Sequence, residues 1–487
     1  MEQTKKALQT QYDQLYIAGD WVNSSNNETV KVISPFDQSE IGYTVLAGKE
    51  DVDKAVKAAR ETFDSGVWVN KPYEEREGII LRFMEIYRGF SEQLAVLTTH
   101  ENGSPIWFTS SLQQMIEFQN LSYLQAGKET EWEKITRNEN GGGSIVRKEA
   151  VGVVAAIIPW NAPQQSALVK IVPALLAGCT VIFKPTPETS LDGIALGTMF
   201  TEAGLPKGVL SILPANREIS EYLVSHPDVD KIAFTGSTKA GKTIASIAGS
   251  QMKRFSLELG GKSAGIILED ADPSMIAALG RYSAFTNNGQ SCAGITRLLV
   301  PKSRYEEISG ILKEAIENIK LGNPQNHETF LGPVYNETQY LKIKAYIQSG
   351  IEEGAVLLTG GLEKLEGEEF EKGWFIRPAL FINVKNTMKI AREEIFGPVQ
   401  VLIAYDNLEE AIALANDSEY GLGGAVITSN VDKGLEVAKA IRTGTVMINA
   451  AQPDFKVPFG GYKQSGVGRE FGSYGLSSFT ELKTILY

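Results

Sequence analysis

From residue 151 onward, short apolar runs alternate with longer stretches of helical periodicity, and this alternation restricts the fold more than any other feature of the chain. The run 152–158, Gly-Val-Val-Ala-Ala-Ile-Ile, is continuously apolar and stops at Pro159; the run 178–183, Gly-Cys-Thr-Val-Ile-Phe, stops at Lys184-Pro185. Helices are expected at 167–177, 189–204 and 218–225, and strands at 208–213 and 231–234, before Thr235-Gly236-Ser237 opens a further helix. Strands apolar on both faces belong in buried parallel sheets. Successive strand–helix units of this kind build a doubly wound α/β sheet, whose ligands sit at the carboxyl ends of the strands.

A second series is expected to start at 254–259 and 264–268, and to run through a helix at 304–318, a strand at 397–404, a helix at 408–415 and a strand at 444–449. Ahead of both, short strands are read at 15–21 and 29–33, then helices at 50–63 and 73–102 with Leu81, Met84, Ile86, Leu94 and Leu97 as core contacts. Segments 131–137 and 144–149 flank Asn138-Glu-Asn-Gly-Gly-Gly143, a hairpin with a glycine-rich turn. A charged two-stranded ribbon is marginal alone, so it is expected to lean on another subunit, with a surface flap as the alternative. Residues 478–486 read as a terminal strand.

At 487 residues the chain calls for two or three domains. Its 43% apolar and 22% charged residues are those of a globular protein. No apolar run reaches the roughly eighteen residues needed to span a bilayer, and the polar start Met-Glu-Gln-Thr-Lys-Lys lacks a signal-peptide core. A net charge of −12 argues against nucleic acid as a partner. Two cysteines make no disulfide framework and suit a reducing cytoplasm. The three histidines, His100, His226 and His327, are too scattered for a zinc site or a supported Cys–His hydrolase, so no metal is expected.

The second cysteine, Cys292, stands in Phe285-Thr-Asn-Asn-Gly-Gln-Ser-Cys-Ala-Gly294, among small polar turn-formers. A thiol there is open to a substrate, although a small buried hydrophobe fits the local sequence equally well. Asn161, in Pro159-Trp-Asn-Ala-Pro163, offers an amide to a developing oxyanion or to its own turn. Lys184 stands at the ligand edge of the sheet. Glu258, between two leucines, would be desolvated and so raised toward a useful base. Residues 236–243 match a nucleotide P-loop, a glycine and then, after four intervening residues, Gly-Lys-Thr. The position is late in the chain and no strand-ending Asp completes a magnesium site, so a P-loop hydrolase is the weaker reading.

Together these residues resemble the aldehyde dehydrogenase superfamily. The motifs are Pro-Trp-Asn (159–161), Phe-Thr-Gly-Ser (234–237), Leu-Glu-Leu-Gly-Gly-Lys (257–262), Gly-Gln-Ser-Cys (289–292), Glu-Glu-Ile-Phe-Gly-Pro (393–398) and Pro-Phe-Gly-Gly-Tyr-Lys-Gln-Ser-Gly (458–466), in the family's order. The resemblance implies a cofactor-binding domain (1–123 and 151–253), a catalytic domain (254–465) and an oligomerisation ribbon with a C-terminal strand (124–150 and 466–487), assembled as a homodimer or homotetramer. It implies oxidation of an aldehyde to the acid, with Cys292 as nucleophile, Asn161 as oxyanion donor and Glu258 as the base that activates water. A coenzyme A-acylating variant is the nearest alternative, disfavoured by the presence of Glu258. The cofactor would meet Ile157, Pro159, Trp160, Lys184, Gly236, Ser237, Leu259, Gly260, Glu394 and Phe396. NAD-preferring members commonly carry Glu three residues after the strand-end lysine. Here Pro187 holds that place and Glu188 follows, which favours NAD with NADP tolerated. A substrate tunnel is assigned to Ala162, Gln165, Val169, Thr286, Ser291, Ala293, Pro453 and Phe459. Its modest side chains suit a medium-chain, bulky or aromatic aldehyde.

Overall fold

The computed structural model describes residues 7–137, 139, 141–449 and 451–487. The N-terminal hexapeptide, and Asn138 and Asn140 of the glycine-rich turn, lie outside the described residues.

Among the described residues, an eight-stranded sheet runs in the order Gly466–Val467, Arg254–Glu258, Lys231–Thr235, Val153–Ile157, Thr180–Lys184, Leu210–Ile212, Leu15–Ile17, Asp20–Val22. Its five central strands are parallel. The chain winds outward from Val153–Ile157 in one direction and then in the other, so a crevice opens at the carboxyl ends of its central strands. Arg254–Glu258, expected to start the second series, instead pairs in parallel with Lys231–Thr235 and closes the first sheet. Gly466–Val467, expected in the ribbon segment, pairs antiparallel with that same strand. Neither pairing is written in local periodicity, since both join segments whose partnership depends on the whole chain.

A seven-stranded sheet follows, in the order Val356–Gly361, Arg377–Ile382, Val399–Tyr405, Ile295–Pro301, Ser263–Ile267, Gly423–Ile427, Thr445–Ile448. It is parallel except at Val356–Gly361. A three-stranded ribbon pairs Glu133–Arg137 with Gly143–Ala150, and the latter with Thr480–Leu486.

Helix Tyr73–Asn102 buries Ile79, Ile80, Phe83, Met84, Tyr87, Leu94 and Leu97. Leu81, expected in the core, is 45% exposed, and Ile86 is only half-buried. The 3.6-residue period puts Ile80, Phe83 and Tyr87 on the inner face and turns Leu81 away. Helix Ile106–Glu129, which packs beside it, carries no clean apolar stripe and is not evident from the sequence. No helix among the described residues is long and apolar enough to cross a membrane.

Candidate active site

Between the end of strand Val153–Ile157 and the start of helix Pro163–Ala177 lie Pro159, Trp160, Asn161 and Ala162. The rings of Trp160 and Tyr335 stack 4.2 Å apart, and Phe396 meets Trp160 edge-on at 5.5 Å. The Asn161 amide donates to the main-chain carbonyl of Gln290 at 3.0 Å, two residues before Cys292. The oxyanion candidate is thereby brought to the cysteine loop from the other sheet.

Gly260 and Gly261 leave the first sheet beside this loop. A Cβ on Gly260 would stand 2.4 Å from a Glu394 carboxylate oxygen, and one on Gly261 2.5 Å from the Cys292 carbonyl oxygen. Only glycine lets three chain segments approach this closely. The Gly261 N–H also donates to Glu394 Oε1 at 3.0 Å.

Cys292 is partly exposed, whereas Cys179 is wholly buried. Burial, then the carboxylates of Glu394 and Glu258, push the Cys292 thiol up to about 12, with its own and the Ala293 N–H pulling the other way. Without a ligand, the surroundings of Cys292 favour the neutral thiol. In the free protein, labelling of Cys292 by iodoacetamide is expected to be slower at neutral pH than that of a free thiol, whose pKa is about 8.5, and to keep rising beyond about pH 9. A rate already level near neutrality would contradict this assignment.

Glu258 is 5% exposed, at the end of its strand. Burial first, then the Glu470 carboxylate, raise its carboxyl well above the ordinary range, while Lys170 and Arg469 oppose the shift. Its Oε2 has no hydrogen-bond partner. Lys170, on helix Pro163–Ala177, donates to Thr235 Oγ1 at 2.6 Å and to Glu470 Oε1 at 2.7 Å. Sequence reasoning passes over Lys170 and Glu470; the signal for the first is a lone cation inside the apolar run Ala167-Leu-Val-Lys-Ile-Val172.

Lys184 ends its strand nine-tenths buried, and desolvation lowers it to about 8 against the pull of Glu188. Glu188 is exposed in the tight turn Pro187–Thr189, and, after burial, its carboxylate raises the Tyr335 hydroxyl well above the ordinary range. Ile157 and Leu259 are buried, and Pro159 is half-buried. Gly236 is half-buried, and Ser237 caps helix Thr238–Ser250, its side chain accepting from the Ala240 N–H at 3.3 Å. That helix already contains residues 238–243 and leaves Lys242 exposed. A P-loop needs these residues as a loop wrapped around phosphate, so the nucleotide-hydrolase alternative fails on geometry. What remains is a helix N-terminus facing the sheet crevice, together with a strand-end lysine and a carboxylate over two glycines. These groups fit a dinucleotide's phosphates and ribose hydroxyls.

Of the proposed tunnel residues, Ala162 and Gln165 next to Asn161, Ser291 and Ala293 next to Cys292, and Phe459 beside Phe471 are partly exposed. Thr286 uses its hydroxyl on the Tyr282 carbonyl. Val169 is buried within the first core, and Pro453 is exposed at the rim. Phe455, in the stretch Gln452-Pro-Asp-Phe455 expected from the sequence to border the entrance, packs with Phe459 around Phe471 at 5.0 and 5.4 Å centroid distances.

Residues 21–485 match the family model described as the aldehyde dehydrogenase family. The chain belongs to the aldehyde dehydrogenase family. Among relatives in that family, a geranial dehydrogenase from Castellaniella defragrans is 38% identical over 475 residues, covering 97% of this chain and 98% of the relative. A Mycobacterium tuberculosis aldehyde dehydrogenase solved with NAD+ superposes with a TM-score of 0.94 at 41% identity, covering 99% of each chain. A cysteine-to-alanine variant of aldehyde dehydrogenase C from Pseudomonas syringae, solved with NAD+ and octanal, gives 0.92 at 35% identity over 99% of this chain and 98% of the other.

Proposed function

We propose that this protein oxidises an aldehyde to its carboxylic acid with NAD+, through a thioester on Cys292. One observation carries the reading: Asn161 and Glu258, at the carboxyl ends of strands of the first sheet, where ligands of such sheets bind, meet Cys292 and Glu394, which precede strands Ile295–Pro301 and Val399–Tyr405 of the second. The NAD+-bound relatives support the cofactor.

Cys292 adds through sulfur to the aldehyde carbon, and its proton passes to solvent water as the C–S bond forms. The Asn161 amide retains a second N–H beyond the one given to Gln290, and with the Cys292 N–H it holds the new oxyanion; one such donor typically lowers a barrier by about 3 kcal/mol. A bound dinucleotide would supply the hydride acceptor that the oxidation of this adduct requires. Glu258 then takes a proton from water, which attacks the thioester carbon and releases the acid and the thiol. Lys184, Ser237 with the N-terminus of its helix, and Glu394 would hold the dinucleotide, with Trp160 and Phe396 beside it.

The small side chains at Ala162 and Ala293 and the Phe455–Phe459–Phe471 cluster favour a medium-chain, bulky or aromatic aldehyde; the geranial- and octanal-named relatives agree with this. Pro187 offers neither a hydrogen-bond acceptor to the adenine ribose nor a charge against a 2′-phosphate, while the exposed Glu188 carboxylate one residue on weighs toward NAD+. NADP+ is expected to be accepted, more weakly than NAD+. The test is reduced-cofactor formation across an aldehyde panel with both cofactors. Acetaldehyde as much the best substrate, or strict rejection of NADP+, would contradict these assignments. The ribbon, whose Ile135, Leu482 and Leu486 are exposed, is the surface through which copies of the chain would assemble as a dimer or tetramer.

A further inference from the structure

The segment bearing Cys292 is held by a buried amide with no assigned role in the chemistry. Asn287 and Asn288 both adopt left-handed backbone, φ 56° and 59°, within the turn Thr286–Gly289, and both are almost wholly buried. Asparagine is among the few side-chain-bearing residues that tolerate this region. In polar turns such amides usually face water or their own backbone, but the Asn287 amide points across the cleft. Its Nδ2 donates to the main-chain carbonyl of Asn161 at 2.9 Å and to that of Gln290 at 3.3 Å. Its Oδ1 accepts from Ser104 Oγ. The Asn161 side chain donates to the same Gln290 carbonyl at 3.0 Å.

Backbone and side chain of Asn161 are therefore both tied to the cysteine loop, and Asn287 is the residue that grips both sides. Behind it, Ser104 N–H donates to Asn102 Oδ1 at 2.9 Å, and the Asn102 amide donates to the Trp160 carbonyl at 3.0 Å. Gln290 Oε1 accepts from the Tyr335 N–H at 2.9 Å, which seats the ring stacked on Trp160. The ring of contacts passes from 102–104 to 160–161, to 287–290, and back. Asn288 adds an anchor away from the cleft, donating to the Gly103 and Pro333 carbonyls at 2.8 and 2.7 Å.

We propose that Asn287 is a positioning residue: held by Ser104, its amide fixes the Asn161 oxyanion donor relative to Cys292 across the junction of the two sheets. The inference rests on the reading of Asn161 as that donor. Asn287 touches no reacting atom, and its contribution passes through Asn161. Its loss is expected to loosen the spacing of Asn161 and Cys292, not to unfold the protein. Misplacement of a catalytic group by about 1 Å costs on the order of a hundredfold in rate.

Three kinds of variant test this: Asn287→Gly, which keeps the left-handed backbone and removes the amide; Ser104→Ala, which frees its far end; and each of these combined with Asn161→Ala. Turnover of one good aldehyde, NAD+ affinity and the thermal midpoint are measured for all. Asn287→Gly is expected to lower kcat roughly tenfold to a hundredfold, and Ser104→Ala several-fold, with NAD+ affinity within about twofold. In the Asn161→Ala background each should change kcat by less than about twofold, because two residues acting through one contact are not additive. A merely structural role would give the same loss in both backgrounds, and that result, or an Asn287→Gly kcat within about twofold of the parent, overturns the proposal. Should Asn287→Gly fail to fold, Ser104→Ala in the two backgrounds tests the proposal by the same criterion. Full turnover by Asn161→Ala alone would remove the oxyanion reading itself, a separate outcome.

Discussion

Replacing Cys292 with alanine is expected to end aldehyde-dependent NADH formation, a loss of more than about 10⁴-fold, the scale seen when the nucleophile of a catalytic constellation is deleted. No other thiol can take over. Cys179 is completely buried, its sulfur lies 3.5 Å from the Phe479 carbonyl oxygen, and burial raises it to about 11. The substitution removes one partly exposed atom, so folding and NAD+ binding should persist, which cofactor titration of the variant checks. Turnover within about tenfold of the parent would take the covalent route away from this residue.

Exchange of Glu258 for glutamine is expected to separate the two halves of the reaction. The variant should release about one equivalent of NADH per site in a burst, then turn over about 10²- to 10⁴-fold more slowly, the usual worth of a general base. The sign of the pH dependence follows from the raised carboxyl. Glu258 works only when deprotonated, so the parent's steady-state rate should rise with pH along a limb lying above the ordinary Glu value of about 4.3. In the variant that limb should vanish from the steady state while the burst remains. Stopped-flow absorbance at several pH values reads both, and a steady state equal to the parent's would strip Glu258 of its role.

The central strands are legible because residues buried on both faces leave uninterrupted apolar runs, as at 153–157 and 180–184. The neighbours of Cys292 and Asn161 leave each open to a purely structural reading, and it is the six motifs occurring together in order that single out Cys292, Glu258 and Asn161. What stays hidden depends on pairing between distant segments. Nothing near Arg254 tells that its strand closes the first sheet, and nothing near Leu81 marks it as the outward residue of an otherwise apolar stretch. The thiol's ionisation escapes the sequence for a related reason, since Glu394 approaches Cys292 from more than a hundred residues away in sequence, beyond the reach of any local pattern. Asn287 is visible only as a turn-former, because its function lies in where the amide points.

The glycine pair that admits Glu394 on one side and the Cys292 carbonyl on the other is packed backbone against side chain and backbone, with no spare volume. Any residue added on that flank displaces the reacting groups themselves. Away from them, Gln165 and Ser166 on the first turn of helix Pro163–Ala177 and the exposed stretch 451–454 offer side chains that can be exchanged singly. Divergence in diet among such enzymes is therefore channelled to one bank, leaving the chemistry on the other undisturbed.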